Sequence, residues 1–414
     1  MSAAAEPRAA AAGLFAFDDA ELQRLAARHV TPCFLYRAAV AQQAFTALRA
    51  ALPTGVRVAY AIKANPHPVL LERLARLGAS FDCASAGELR LAAAALEAAG
   101  APPVPSPGGS AASRLLFAGP GKQDDELALA VSLGARVQAE GWEDLQRLDV
   151  LARGGAPLHV NLRVHPVGGV DEARPILGGA GPSAFGVDEE DVPALLERAA
   201  TLRSVRLRGL HVFAASNERD AARLLATHRM VLGLARRLSL ALGEPLEQVD
   251  LGGGLGVSYA ADEPPLDLAA FGHGLAALRR EPDAPAAEWL IEPGRFLAAG
   301  CGVYLSRVVR TKVSRGVRFA VLQAGLNHLL RPQLTGEPFP VRLLGAGARG
   351  ASQRTVLAGP LCTSLDRLGQ AELPGDLRPG DLLAFGMTGA YGATEAMGRF
   401  LSHPEAREIW VEED

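Results

Sequence analysis

The sequence predicts an α/β protein: a (β/α)8 TIM barrel followed by a C-terminal all-β domain. Three observations lead there. Short β-rich runs alternate with amphipathic helical segments until eight strands have been counted. Glycine stands near the end of most of those helical segments, where a helix stops. After about residue 293 the alternation gives way to strand upon strand without helical spacing.

Taken in order, "FLYRAAVAQQAFTALRAALP" supplies a strand and a helix ahead of the first barrel strand. Residues 1–35 are therefore assigned with 293–414 to the β domain, and 36–292 to the barrel. Barrel strands are expected at Val56–Lys63, Ala79–Cys83, Arg114–Ala118, Arg136–Glu140, Leu158–Val164, Arg206–Val212, Gln248–Leu251 and Glu288–Glu292. Between them "PVLLERLARLG", "GELRLAAAALEAAG", "DELALAVSLG", "WEDLQRLDVLARGG" and "VPALLERAATL" place apolar residues at helical spacing. "GAPPVPSPGGSAAS" reads as a loop insertion, and "HPVGGVDEARPILGGAGPSAFG" as a glycine-rich loop after the fifth strand. The β domain is built from "FLAAGCGVYLSRVVRTKVS", "RFAVLQAG", "PVRLLGA", "RTVLAGPL" and "DLLAFGM".

Composition narrows the function. The 414 residues are 49% hydrophobic and 21% charged, enough apolar material for two domains. A net charge of −3 with no basic block gives no polyanion signature, so nucleic acid is not an expected partner. Cys33, Cys83, Cys301 and Cys362 are widely spaced, with neither CxxC pairs nor Cys/His clusters at metal-ligand spacing. A reduced cytoplasmic setting and no metal are expected. "MSAAAEPRAAAAGLF" is too weakly apolar for a signal sequence, and no charge-free run of about 18 apolar residues predicts a membrane span.

In such barrels chemistry collects where strands end and βα loops begin. Lys63 closes the first strand, Asp82 the second, Arg163 the fifth and His211 the sixth, with "LGGGLG" after the seventh and "EPGR" after the eighth. Arginine otherwise carries nearly all the positive charge, since the chain has only three lysines. A lysine in a barrel mouth is either a snorkelling side chain or an amine nucleophile of the Schiff-base kind. Gly252, Gly253 and Gly254 either make a tight turn or offer N–H groups to an anion, which Arg295 would help neutralise. Glu292 ends an apolar strand and needs a cationic partner: Arg295 in the same motif, or a bound heterocyclic cation. His211 is either a satisfied core histidine or a flat ring stacked on a flat cofactor. An amine nucleophile, a phosphate turn and a carboxylate for a ring nitrogen together describe pyridoxal 5′-phosphate.

With those residues in view, the chain resembles the fold-type III pyridoxal-phosphate decarboxylases, the alanine racemase-like family of ornithine and diaminopimelate decarboxylases. The resemblance runs from "YAIKAN" and "FDCASAGEL" through "LFAGPGK", "LRV", "FGV" and "DLGGGLG" to "IEPGRFL", "GPLCTSLD" and "TGAYG". It implies that Lys63 bonds the cofactor, His211 stacks on its ring, and Glu292 meets the ring nitrogen. Gly253, Gly254, Arg295 and Tyr391 would hold the phosphate, with Gly252, Asp82, Arg163 and Ser216 or Asn217 also around the cofactor. It further implies a homodimer with shared active sites, in which the partner's cysteine corresponding to Cys362 supplies a proton. The related alanine racemases place an arginine near the ring nitrogen, so Glu292 favours decarboxylation over racemisation.

Departures from the family narrow the substrate. The residue after the "GPxC" cysteine is an acid in ornithine and diaminopimelate decarboxylases, where it pairs with the distal ammonium; here it is Thr363. Losing that partner costs a buried ammonium roughly 2 to 5 kcal/mol. "RPQLT" keeps Arg331 as a carboxylate clamp but has Thr335 where the family has tyrosine. Substrate contacts are thus expected from Arg331, Thr363, Asp366 and Tyr391. The tail "GAYGATEAMGRFLSHPE" and "LCTSLD" look most like a biosynthetic branch that includes a siderophore decarboxylase of the staphyloferrin B type, acting on citryl-diaminopropionate, and enzymes acting on carrier-bound glutamate. The expected activity is removal of the α-carboxylate from a substituted or conjugated amino acid, with siderophore assembly as its setting. The alternatives are diaminopimelate decarboxylation, a carrier-bound substrate, and a non-catalytic cofactor carrier or antizyme-inhibitor-like protein on the same fold.

Overall fold

The computed structural model describes residues 13–101, 113–168, 181–345 and 350–412. The Pro/Gly/Ser insertion and most of the glycine-rich loop after the fifth barrel strand lie outside these residues. The chain forms two compact units, one made of Ala44–Val257 with Pro265–Gly294, the other of Met1–Gln43, Ser258–Pro264 and Arg295–Asp414. The segment 258–264, expected in the barrel, thus belongs with the β unit.

The first strand, β1 (Cys33–Tyr36), belongs to the β unit. The barrel unit follows with β2 (Val56–Ala61), β3 (Ser80–Cys83), β4 (Leu115–Phe117), β5 (Arg136–Ala139), β6 (Leu158–His165), the two-residue β7 (Val187–Asp188), β8 (Val205–His211), β9 (Gln248–Asp250) and β10 (Glu288–Ile291). Their order is β5-β4-β3-β2-β10-β9-β8-β6, with β7 beside β6, and β5 pairs with β6 to close the barrel. All eight expected barrel strands are present, each within about two residues of its expected ends. One difference concerns chemistry: Lys63 is not on the strand but in the 3-10 turn Ile62–Ala64 that follows it.

Helices at Pro68–Arg76, Ala86–Ala98, Asp124–Ser132, Trp142–Leu151, Val192–Ala199, Ala221–Leu242 and Leu268–Arg279 return the chain between strands. Local chemistry fixes their ends. Ser85 Oγ accepts the Glu88 N–H at 3.2 Å, and Asp220 caps Ala222 at 2.8 Å. Gly243, at φ +69°, ends the helix Ala221–Leu242 in the left-handed conformation that glycine adopts without strain.

The barrel interior combines an apolar layer of Ala59, Leu116 and Leu290 with a buried polar chain. Arg136 Nε donates to Asn161 Oδ1 at 2.9 Å, and Asn161 Nδ2 donates to Gln248 Oε1 at 2.8 Å. Arg136 is fully buried, and its charge is answered by Glu247 at 3.0 Å, which makes that burial tolerable. Strand β8 carries glycine at position 209 because a Cβ there would collide with the Asn161 amide.

In the β unit, β11 (Gly302–Ser314), β12 (Val317–Leu322), β13 (Val341–Leu344), β14 (Ser352–Ala358), β15 (Arg367–Pro374), β16 (Leu382–Phe385) and β17 (Arg407–Trp410) join β1 in an eight-stranded sheet. β1 pairs antiparallel with β11 and parallel with β17. Phe17, Leu22, Leu25, Leu35, Val303, Leu305 and Leu382 belong to its core. Two short helices, Arg295–Ala298 and Arg331–Thr335, interrupt the unbroken run of strands that the sequence predicts. Among the described residues no helix is long and apolar enough to cross a membrane.

Candidate active site

The barrel unit brings Lys63, Asp82, Arg163, His211, the glycine turn and Glu292 to the carboxyl ends of its strands. Several strands end at or just before a residue at odds with the apolar run, and register aligns some of these ends: Ala61 stands opposite Asp82, and His211 opposite both Arg163 and Asp250.

Lys63 Nζ lies 3.7 Å from Asp82 Oδ2 and 5.2 Å from the centre of the Phe213 ring. Its side chain is about one third exposed (35%), so the amine stands open at the barrel mouth. Asp82 is buried, and its Oδ1 has no hydrogen-bond partner. Burial, and then the neighbouring Glu292, push its carboxyl up to about 7, against the pull of Lys63.

His211 and Glu292 form the buried floor, 2% and 3% exposed. His211 Nε2 lies 3.3 Å from Glu292 Oε2, while His211 Nδ1 and Glu292 Oε1 have no hydrogen-bond partner. Burial alone would raise the Glu292 carboxyl, but His211, a hydrogen bond from Asp250 and the charge of Lys63 prevail and hold it down at about 2. The neighbours of Glu292 thus favour its ionised form, and one of its buried oxygens is unsatisfied. The partner expected within its own motif is not its partner: Arg295 Nη1 donates to the Tyr259 hydroxyl at 2.7 Å.

The glycine turn is needed for close approach. Gly252 (φ +75°) and Gly254 (φ +101°) are left-handed, and side chains at Gly252, Gly253 and Gly254 would collide with Val212 O, Glu292 O and Ala215 respectively. One expectation is corrected here: the Gly252 N–H donates to Asp250 Oδ1 at 3.0 Å, so it is committed within the protein. Gly253 and Gly254 remain the candidates for an anion. In the loop after His211, Asn217 (φ +52°) uses its Oδ1 to accept the Val257 N–H at 3.0 Å, and Ser216 beside it is exposed. Arg163 donates to Glu140 at 2.8 Å and lies 4.7 Å from the Phe185 ring centre.

Asp250 was not singled out by the sequence reading. It is fully buried at the end of β9, accepts from Gln138 Nε2 at 3.0 Å, and lies with His211 and Glu292 so that their donor atoms fall within 4.8 Å of one another. The signal was present in "QVDLGG": a carboxylate closing an apolar strand, the same pattern that identified Glu292.

The remaining expected residues lie in the β unit. Arg295 and Arg331 lie over the Tyr391 ring, at 5.0 and 4.4 Å from its centre. Arg331 is buried and donates from Nη1 to both oxygens of Glu395, at 2.9 and 3.2 Å. Cys362 is exposed. Thr363 Oγ1 accepts the Leu365 N–H at 3.2 Å. Asp366, expected to touch substrate, is corrected to a loop anchor: it is buried, and its two oxygens accept the N–H groups of Leu326 and Leu361, each at 2.7 Å.

The barrel's orphaned atoms test the cofactor reading. A buried ionised oxygen with no donor suits the protonated nitrogen of a pyridine ring, and a flat imidazole beside it suits the ring itself. Pyridoxal 5′-phosphate fits these residues.

Comparison with known proteins agrees. Residues 38–299 match the model of the pyridoxal-dependent decarboxylase family's pyridoxal-binding domain. A diaminopimelate decarboxylase of Zymomonas mobilis is 31% identical over 96% of this chain and 92% of its own length. L-glutamyl-[BtrI acyl-carrier protein] decarboxylase of Niallia circulans is 29% identical over 95% of this chain and 91% of its own. 2-[(L-alanin-3-ylcarbamoyl)methyl]-2-hydroxybutanedioate decarboxylase of Staphylococcus aureus is 28% identical over 88% and 90%. The crystal structure of Helicobacter pylori diaminopimelate decarboxylase complexed with L-lysine superposes with a TM-score of 0.82 at 28% identity, covering 95% of this chain and 94% of that one.

Proposed function

Because the chain belongs to the pyridoxal-phosphate-dependent decarboxylase family of ornithine and diaminopimelate decarboxylases, we propose that it removes the α-carboxylate from a substituted amino acid whose distal end carries no free ammonium. The observation that carries this reading is Thr363, next to Cys362, where an acid would be needed to pair with such an ammonium.

Bound pyridoxal phosphate supplies an electron sink for the pair left at Cα when the carboxylate departs as carbon dioxide. The protein's part is positioning and proton control. Lys63 supplies the amine that holds the cofactor covalently, and its partial exposure leaves it accessible. Glu292, held toward its ionised form by its neighbours, would keep a proton on the ring nitrogen. His211 would lie against the ring. Gly253 and Gly254 are assigned to the phosphate; for Arg295 and Tyr391 that role rests on the family resemblance alone. Cys362 of a second copy is assigned as the acid that protonates Cα, so that one proton enters for each carbon dioxide released. A homodimer is part of this proposal.

Arg331 supports an amide-bearing substrate. Its charge is already answered by Glu395, so a distal carboxylate would bind there by displacing that side chain. A neutral amide would not have to. The Staphylococcus aureus relative is named for a substrate with such a carbamoyl link followed by a hydroxybutanedioate, which supports a siderophore-type conjugate as the substrate class, with the amide and not the carboxylates beyond it against Arg331. A second reading, diaminopimelate decarboxylation, is favoured by retention of Arg331 and by the relatives of that name; the glutamyl carrier-protein decarboxylase keeps a tethered acid in view. Carbon dioxide release from free and amide-conjugated diamino acids and a carrier-tethered glutamate separates the three. Robust turnover of free diaminopimelate would overturn the reading of Thr363.

A further inference from the structure

Asp250 lies outside the roles assigned above, yet it is fully buried at the barrel mouth with both carboxyl oxygens engaged. It takes the Gly252 N–H on Oδ1 and the Gln138 amide on Oδ2, each at 3.0 Å, and lies with Glu292 and His211 so that a carboxyl oxygen of each acid and a ring nitrogen of the histidine fall within 4.8 Å of one another. Two carboxyl groups this close together and away from water repel each other when both are charged, and a proton on one of them relieves it. Only one can be the anion.

The surroundings decide which. Glu292 has His211 at 3.3 Å and the Lys63 charge nearby. Asp250 faces Glu292 and, farther off, Asp82, both of which disfavour a second negative charge, with Arg57 from β2 as the cation coupled to it. Its close contacts are otherwise the neutral Gln138 amide and the Gly252 backbone. We propose that Asp250 is a positioning residue: as the protonated member of the pair it donates to Glu292, holds that carboxylate ionised and aimed, and ties it through Gly252 to the glycine turn. Burial raises the Asp250 carboxyl well above the usual range, in keeping with this. One side chain thus sets the charge on the ring-nitrogen carboxylate and the shape of the turn that follows β9. The inference rests on the cofactor reading insofar as Glu292 meets the ring.

Asparagine separates a positioning role from bulk structure. Asp250→Asn keeps a donor for Glu292 and an acceptor for Gly252, and Gln138, whose Oε1 has no partner, can turn its amide to suit. Asp250→Ala loses both. The measurement is pyridoxal phosphate affinity of the apoprotein, together with the pH midpoint of the bound cofactor's absorbance band. Asp250→Asn is expected to match wild type in both, and Asp250→Ala to bind about 10- to 100-fold more weakly with a shifted midpoint. An asparagine protein with a midpoint shifted by about one unit, or with affinity lost as in alanine, would overturn the proposal and make Asp250 an essential anion. So would an alanine protein indistinguishable from wild type. Should the alanine protein not fold, the asparagine result alone still decides. Failure of the wild-type protein to bind the cofactor would instead count against the cofactor reading on which this rests.

Discussion

In the barrel, Glu292 and Asp82 each leave a buried oxygen without a partner, and His211 leaves a ring nitrogen so. In the β unit, Arg331 is paired with Glu395, Arg295 is bonded to Tyr259, and both oxygens of Asp366 are taken by backbone donors. Buried atoms without a partner occur in both regions, Arg331 Nε among them, but at the barrel mouth they belong to Asp82, His211 and Glu292 at neighbouring strand ends, whereas the β unit answers most of its charges from within. Unsatisfied burial is costly, so its concentration at one place marks where a ligand belongs. Internal pairing leaves the binding partner undefined. That is why the cofactor is evident from this chain and the substrate remains a proposal.

The contrast can be broken, most severely at Lys63. Lys63→Ala is expected to abolish the absorbance band near ~420 nm expected of a lysine-bound cofactor and lower decarboxylation on the order of 10⁴-fold. Full activity in that protein would end the enzyme mechanism. Glu292→Gln removes the anion beside the ring and is expected to cost about 10²- to 10³-fold in kcat with smaller change in KM, measured by carbon dioxide release. In the β unit, Asp366→Ala is predicted to act on stability first, lowering unfolding free energy by about 3 kcal/mol as two hydrogen bonds to a charged group are lost. Chemical denaturation checks this.

Asp82 offers a test by pH. Its carboxyl rises from the ordinary 3.8 to about 7, so the stability it contributes is present below pH 3.8 and lost as pH climbs through 7. Asp82→Asn is therefore expected to stabilise the apoprotein at pH 8 by about 2 kcal/mol, less at most ~1 kcal/mol for the Lys63 pair. The gain should vanish near pH 3.8, as read from melting temperature against pH. Smallest is the effect at Glu395. Glu395→Gln frees the charge on Arg331 and should lower KM for substrates with a distal carboxylate about tenfold relative to amides.

The barrel was legible because its signal is periodic: strand runs and helical spacing recur, and the residues that break the pattern mark its rim. Lys63 lies just beyond its strand because the chain bends there into the βα loop. The helices Arg295–Ala298 and Arg331–Thr335, of four and five residues, are too short to show helical spacing and were missed. Asp250 shows the same local pattern as Glu292, a carboxylate closing an apolar strand. The pairing of Arg331 with Glu395, 64 residues on, and of Asp366 with Leu326, 40 residues back, are tertiary facts without local trace.

The most direct test of the substrate assignment is a side-by-side assay of carbon dioxide release by the holoenzyme from free diaminopimelate and from amide-conjugated 2,3-diaminopropionate. Turnover of the conjugate with little from diaminopimelate is the predicted result. Efficient turnover of diaminopimelate, with the conjugate ignored, would contradict it and return Thr363 to a residue without bearing on the distal group.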